Sequence, residues 1–142
     1  MVMKSILIID HDASVREVIH ICLRELAGWQ VWSTSSLQAG LSSLSNKRPD
    51  ALLVDFSTPK MDGLDFIRTL KRSPLTRSIP IVLITIKASW FTPQELKNMG
   101  VAGAIAKPFD PISLPGQVAQ LLGWHDTDQA VSESFEIRRS TT

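Results

Sequence analysis

At 142 residues, 44% of them hydrophobic, the chain has the size of one domain and enough apolar material for a core without disulfide or metal staples. Fifteen basic against 14 acidic residues leave a net charge of +1, which excludes a broad field aimed at nucleic acid or an anionic membrane, so no DNA and no membrane partner is expected. The lone Cys22 excludes an internal disulfide framework and no apolar run nears the ~18 residues of a membrane span, so the expectation is a soluble protein of the reduced cytoplasm.

In chain order, the first strand is predicted over residues 5–9, an apolar run closed by Asp10, His11 and Asp12. A helix follows over 14–27, with Val15, Val18, Ile19, Cys22, Leu23 and Leu26 at spacings of three and four. Ser14 offers it a cap and Gly28 follows its end, while Arg16 reads as a solvated or locally paired charge. The second strand, 29–33, sets Trp29 and Trp32 in or beside the core, and a Ser-rich helix over 36–46 carries Leu37, Leu41 and Leu44. The third strand, 51–55, ends on Asp55 and runs into a loop shaped by Pro59 and Gly63. From there a helix over 64–72 presents Leu64, Ile67 and Leu70 before Pro74 stops it. The fourth strand, 80–84, leads to Thr85, and Trp90 and Phe91 in the loop beyond are either satellite core or a docking patch. A short helix, 93–99, ends at Gly100, and a fifth strand, 103–106, leads to Lys107. The last helix begins near Ser113, with Val118, Leu121 and Leu122 as its stripe and Gly123 as its end.

Five strands alternating with five helices argue for the α/β class, a doubly wound parallel sheet joined by right-handed crossovers, over residues 1–123. Residues 124–142 hold few apolar anchors and are expected to form a flexible C-terminal tail.

In an open parallel sheet the C-terminal strand ends share one edge, and ligands bind in the crevice there. Asp10, Asp55, Thr85 and Lys107 all stand at such ends, so they are expected to meet. A carboxylate attacks phosphorus when the incoming charge is neutralised, which makes Asp55 a candidate phospho-acceptor. Mg²⁺, or Mn²⁺ in its place, suits Asp10 and Asp55 together with a backbone oxygen, for which the Ser57 carbonyl is the candidate. Lys107 is expected to pair with one phosphoryl oxygen and the Thr85 hydroxyl to donate to another.

The run closed by Asp10 with Asp12 and Arg16 behind it, Asp55 with Pro59, Met61, Asp62 and Gly63, then Thr85, then Lys107 with Pro108 and Phe109, together resemble the receiver domain of two-component response regulators, over residues 4 to about 122. The resemblance implies a flavodoxin-like fold with five strands in the order 2-1-3-4-5. It implies that Asp55 accepts a phosphoryl group from a sensor histidine kinase or a histidine phosphotransfer protein, that Asp10 binds Mg²⁺, that Lys107 senses the phosphoryl group and that Thr85 moves toward it. A cis bond between Lys107 and Pro108 is implied as well. With no effector domain in view, the expected protein is a stand-alone response regulator. Its output is docking of a downstream protein on the face of the fourth helix, fifth strand and fifth helix, or onward relay of the phosphate. A homodimer through that face stays open.

The chain also departs from the pattern. Receivers usually carry two adjacent acids after the first strand; here the second is His11, so His11 and Asp12 are the further candidate metal ligands. The aromatic residue usual three positions before the Lys is Ala104, which removes an aromatic swing as the signal. Ile86 stands where a small residue is usual and is expected to narrow access to Asp55. Neither Ser57 nor Lys87 offers a carboxylate or amide to orient water, so a long-lived phosphorylated state is expected. Two alternatives stand beside this reading. One is a degenerate receiver that binds partners without phosphorylation. The other is a haloacid-dehalogenase-type phosphatase, suggested by Asp10, Asp12, Thr85 and Lys107 but leaving Asp55 without a task. The expected role is signalling rather than enzymatic, with catalysis limited to the protein's own phosphoryl transfer and dephosphorylation.

Overall fold

Short apolar runs without a polar interruption suit strands covered on both faces, and the centre of the sheet is built from them. The computed structural model describes residues 3–57 and 62–124; Pro59, Met61 and the expected tail beyond Trp124 lie outside that range. Strands β1 (Ser5–Ile9), β2 (Gln30–Thr34), β3 (Ala51–Val54), β4 (Ile81–Thr85) and β5 (Gly103–Ala106) pair in parallel in the order β2-β1-β3-β4-β5, as expected. Every residue of β1, β3 and β4 is buried, and the edge strand β2 is half-buried.

Helices α1 (Ala13–Ala27), α2 (Leu37–Ser43), α3 (Gly63–Arg72), α4 (Pro93–Met99) and α5 (Leu114–Leu122) connect the strands, and a 3-10 turn, Ala88–Trp90, precedes α4. Strand alternation divides the core in two. Ile6, Ile8, Leu53, Val82 and Ile84 pack with Ile19 of α1 and Val118 of α5. Leu7, Ile9, Leu52, Val54 and Leu83 pack on the other face with Leu37 of α2 and Phe66 of α3.

Several expectations are corrected. The N-cap of α1 is Asp12, not Ser14: its carboxylate accepts from the backbone N–H groups of Ser14 and Val15, satisfying donors left open at a helix start. α1 turns only the Ile19, Cys22 and Leu23 face to the sheet, so Val18 and Leu26 stay 41% and 46% exposed. In α3, Phe66 takes the core place expected of Leu64. α2 ends three residues early, because the Ser45 hydroxyl bonds the Ser42 carbonyl and draws the backbone into a turn. β2 begins one residue late, since the Trp29 N–H still bonds back to the Leu23 carbonyl.

Trp124 belongs to the fold, one residue past the expected end. Its N–H bonds the Ala119 carbonyl, and its ring meets Trp29 edge-on with centroids 5.0 Å apart. Such a pair contributes about 1 kcal/mol beyond area burial. No helix among the described residues is long and apolar enough to cross a membrane.

Candidate functional site

Parallel register brings the C-terminal strand ends level. Ile9 pairs with Val54, so the next residues, Asp10 and Asp55, stand side by side, tied by the Asp55 N–H to the Ile9 carbonyl at 2.9 Å. Ile84 pairs with Ile105 on the other flank, and the Lys107 N–H reaches the Thr85 carbonyl at 3.0 Å. Asp10, Asp55 and Thr85 are all buried.

The Lys107 ammonium closes the cluster. Its Nζ lies 2.5 Å from Asp10 Oδ2 and 2.8 Å from Asp55 Oδ2, with the lysine side chain 12% exposed. Two buried carboxylates share one ammonium, which leaves a formal charge of −1 in a low-dielectric pocket. Burial pushes the Asp55 carboxyl up, but hydrogen bonds from Lys107 and Ser57 outweigh it and hold the group below the usual carboxylate range. Burial likewise pushes the Lys107 ammonium down, yet its bonds to Asp10 and Asp55 prevail and hold it above the usual lysine value.

The other oxygens are also engaged. Asp55 Oδ1 accepts from the Ser57 N–H at 2.9 Å and the Ser57 hydroxyl at 2.7 Å; Asp10 Oδ1 accepts from the Asp12 N–H at 2.9 Å. Of Ser57, the sequence singled out the carbonyl and missed these two donors, although an Asp side chain that takes the backbone N–H two residues on is a familiar turn pattern. Arg16 is not merely a solvated charge: its guanidinium donates to the Asp10 carbonyl at 2.7 Å and braces the strand end that carries the carboxylate.

His11 and Asp12 part company. Single ligand atoms of Asp10, His11 and Asp55 all lie within 4.8 Å of one another, close enough for one ion. Asp12 is outside this group, because its carboxylate faces its own helix as the cap. Two convergent carboxylates are a donor set that fits Mg²⁺ or Mn²⁺, and the exposed His11 imidazole adds a nitrogen better suited to softer transition-metal ions such as Zn²⁺.

Thr85 is brought to the site, with its Oγ1 accepting the Lys87 N–H at 3.1 Å. That bond ties the strand end to the turn before α4. Ile86 stands 70% exposed, so its branched side chain is not folded down over Asp55. Trp90 is 71% exposed and is not satellite core. Ala104 is half-buried against the α3 side of the core, and the Lys107–Pro108 peptide bond is cis. At the start of α3, a Cβ on Gly63 would stand 2.4 Å from the Phe56 ring, so glycine lets that ring lie beside the loop carrying Ser57.

Comparison with known proteins agrees with this fold. The family model of the response regulator receiver domain matches residues 6–119. The phosphate regulon transcriptional regulatory protein PhoB of Pseudomonas aeruginosa is 34% identical over 122 residues, covering 86% of this chain and 53% of that protein. The chain thus spans about half the length of the PhoB relatives it matches. Among solved structures, the chemotaxis response regulator CheY4 of Vibrio cholerae superposes with a TM-score of 0.76 at 26% identity, over 84% of this chain and 99% of that one. The receiver domain of sensor histidine kinase PA1611 from Pseudomonas aeruginosa, with a magnesium ion coordinated in its active-site cleft, superposes with a TM-score of 0.73 at 25% identity, over 86% of this chain and 99% of that one.

Proposed function

The chain belongs to the response regulator receiver family, and from that premise we propose that Asp55 accepts a phosphoryl group from a sensor histidine kinase or a histidine phosphotransfer protein. The observation that carries the reading is Lys107 Nζ held between the Asp10 and Asp55 carboxylates. In the transfer, the bond from phosphorus to the donor's imidazole nitrogen breaks as a bond from an Asp55 carboxylate oxygen forms. Lys107 sits where it can leave a carboxylate for a phosphoryl oxygen, and the Thr85 hydroxyl, which accepts the Lys87 N–H, keeps its own proton to donate to another.

Asp10 and Asp55 would hold Mg²⁺, with the Ser57 carbonyl completing the protein's share and His11 available at the rim. When bound, the cation neutralises charge that builds on the phosphoryl oxygens. The magnesium ion of the PA1611 receiver supports this assignment. Asp12 is set aside as a ligand in favour of its capping role.

The output is phosphorylation-dependent docking or relay on the face of α4, β5 and α5. α4 suits it physically: it has seven residues and none is buried, so its position rests on few contacts and is open to bias from the Thr85 loop. A phosphorylation-independent module would have no need for the four convergent side chains, and a haloacid-dehalogenase-type phosphatase would give Asp55 no role.

The test is incubation with Mg²⁺ and acetyl phosphate or phosphoramidate beside an Asp55→Ala control, read by intact mass. One added phosphoryl group that is lost in Asp55→Ala supports the reading. No gain, with Mn²⁺ as well as Mg²⁺, overturns it in favour of the phosphorylation-independent module.

A further inference from the structure

Beside the carboxylates, the turn after Thr85, α4 and the start of α3 enclose a cleft of about 660 Å³. That volume lies within the range of small-molecule sites. Ser57 and Thr85 form the wall nearest Asp55, and Phe56, Leu83, Trp90, Phe91 and Met99 make the cleft largely apolar.

Its polar groups differ in what they have left to offer. Asp62 accepts the Leu64 N–H at 2.7 Å as the cap of α3. Glu95 accepts the Thr92 N–H at 2.9 Å in the capping box of α4. Both acids in the lining are therefore turned to backbone donors of their own helices. Asn98 Oδ1 accepts from Gln94, which leaves its NH₂ group to donate. Thr85 Oγ1 accepts the Lys87 N–H, which leaves its hydroxyl proton to donate. Lys87 is in none of the ion pairs among the described residues, and its Nζ lies 5.0 Å from the Trp90 ring centroid. Asp62 and Glu95 keep their charge at the starts of α3 and α4, and the groups left free to bind are the Lys87 cation and the hydrogen-bond donors of Asn98 and Thr85, beside aromatic walls. The complement of these free groups is a flat apolar body carrying a negative charge.

We propose that this cleft binds a small planar aromatic carboxylate, with the ring against Trp90 and Phe91 and the carboxylate on Lys87 and Asn98. The exposed indole of Trp90 gains cover when the ring seats. Because the Lys87 N–H is bonded to Thr85 Oγ1, a ligand held on Lys87 acts on the residue that flanks the phospho-acceptor, so ligand and phosphoryl group influence one another reciprocally.

The experiment is a ¹H–¹⁵N NMR titration of the full chain with indole-3-carboxylate, and with uncharged indole as control, in wild type, Lys87→Gln and Trp90→Leu. Dispersed β-sheet amide signals show that each variant is folded. The expected result is saturable shifts confined to the cleft, at Lys87, Phe91 and Asn98. Lys87→Gln should weaken the carboxylate about tenfold toward the affinity of indole, and Trp90→Leu should weaken both probes. Absence of saturation, shifts centred elsewhere, or no preference for the carboxylate over indole in wild type overturns the proposal. No phosphodonor is present, so failure here leaves the role of Asp55 standing, and failure of Asp55 to be phosphorylated leaves this test standing.

Discussion

The ammonium of Lys107 lies 2.8 Å from the carboxylate of Asp55, although 52 residues separate the two in sequence. Each is the first residue past a strand end, and parallel pairing through β4 carries one to the other. The same ammonium reaches Asp10, so one cation stands between two buried acids, and stability, metal binding and the response to pH are the properties expected to report on it.

Lys107→Met leaves two adjacent buried carboxylates without their cation. We expect a loss of about 3 kcal/mol in urea unfolding at neutral pH without metal. Added Mg²⁺ should recover part of it, because it supplies charge at the same oxygens. A variant as stable as wild type would show that the triad has no energetic weight.

The pH dependence has a definite sign. Asp55 is depressed on folding, so its contribution is present above the unfolded carboxylate value and is lost as pH falls through the lower folded value. Lys107 is raised on folding, so its contribution is complete below the unfolded lysine value and is lost as pH rises through the higher folded value. In metal-free unfolding curves measured across pH, Asp55→Asn should flatten the acid limb and Lys107→Met the alkaline limb.

Asp10 and Asp12 are two residues apart and should behave oppositely. Asp10→Asn should weaken Mg²⁺ binding, followed by calorimetry, by at least about tenfold, the usual scale for loss of a ligating group or its support. Asp12→Ala should leave Mg²⁺ affinity nearly unchanged and cost about 1 kcal/mol of stability as the cap of α1 is lost. His11→Asp should strengthen Mg²⁺ binding by restoring a carboxylate next to Asp10 and Asp55.

Decay of the phosphorylated protein should be slow. Lys87 and Ser57 place no carboxylate or amide beside Asp55, and the Ser57 hydroxyl is already donated to Asp55 Oδ1. After removal of the phosphodonor, the adduct should persist well beyond seconds, and Ser57→Asn should shorten its lifetime. Decay within seconds in wild type contradicts this.

Gly63→Ala should cost about 1–3 kcal/mol, the usual range for overpacking, because the added methyl falls on the Phe56 ring. Gly63→Ala with Phe56→Leu should recover much of that loss in the same unfolding assay.

Much of this was legible in the sequence because strand ends in a parallel sheet converge. Apolar runs closed by Asp10, Asp55, Thr85 and Lys107 were enough to bring those residues together, and the sheet order came with the family resemblance. What stayed hidden depends on side-chain direction. Asp12 and Ser14 are equally good caps by composition, and only the backbone at Asp12, extended with φ −85° and ψ 111°, decides between them. Helical spacing marks Val18 and Leu26 as apolar without saying that they flank the buried face. The Arg16 bond to the Asp10 carbonyl and the double donation of Ser57 to Asp55 depend on loop geometry that periodicity does not encode.

The most direct test of the central claim is to treat the protein with acetyl phosphate and Mg²⁺, trap the adduct by borohydride reduction and locate it by peptide mass spectrometry. An aspartyl phosphate is reduced to homoserine, and the account predicts that conversion at position 55. Conversion at Asp10 or another acid, or no homoserine from protein that carries the added phosphoryl mass, would contradict it.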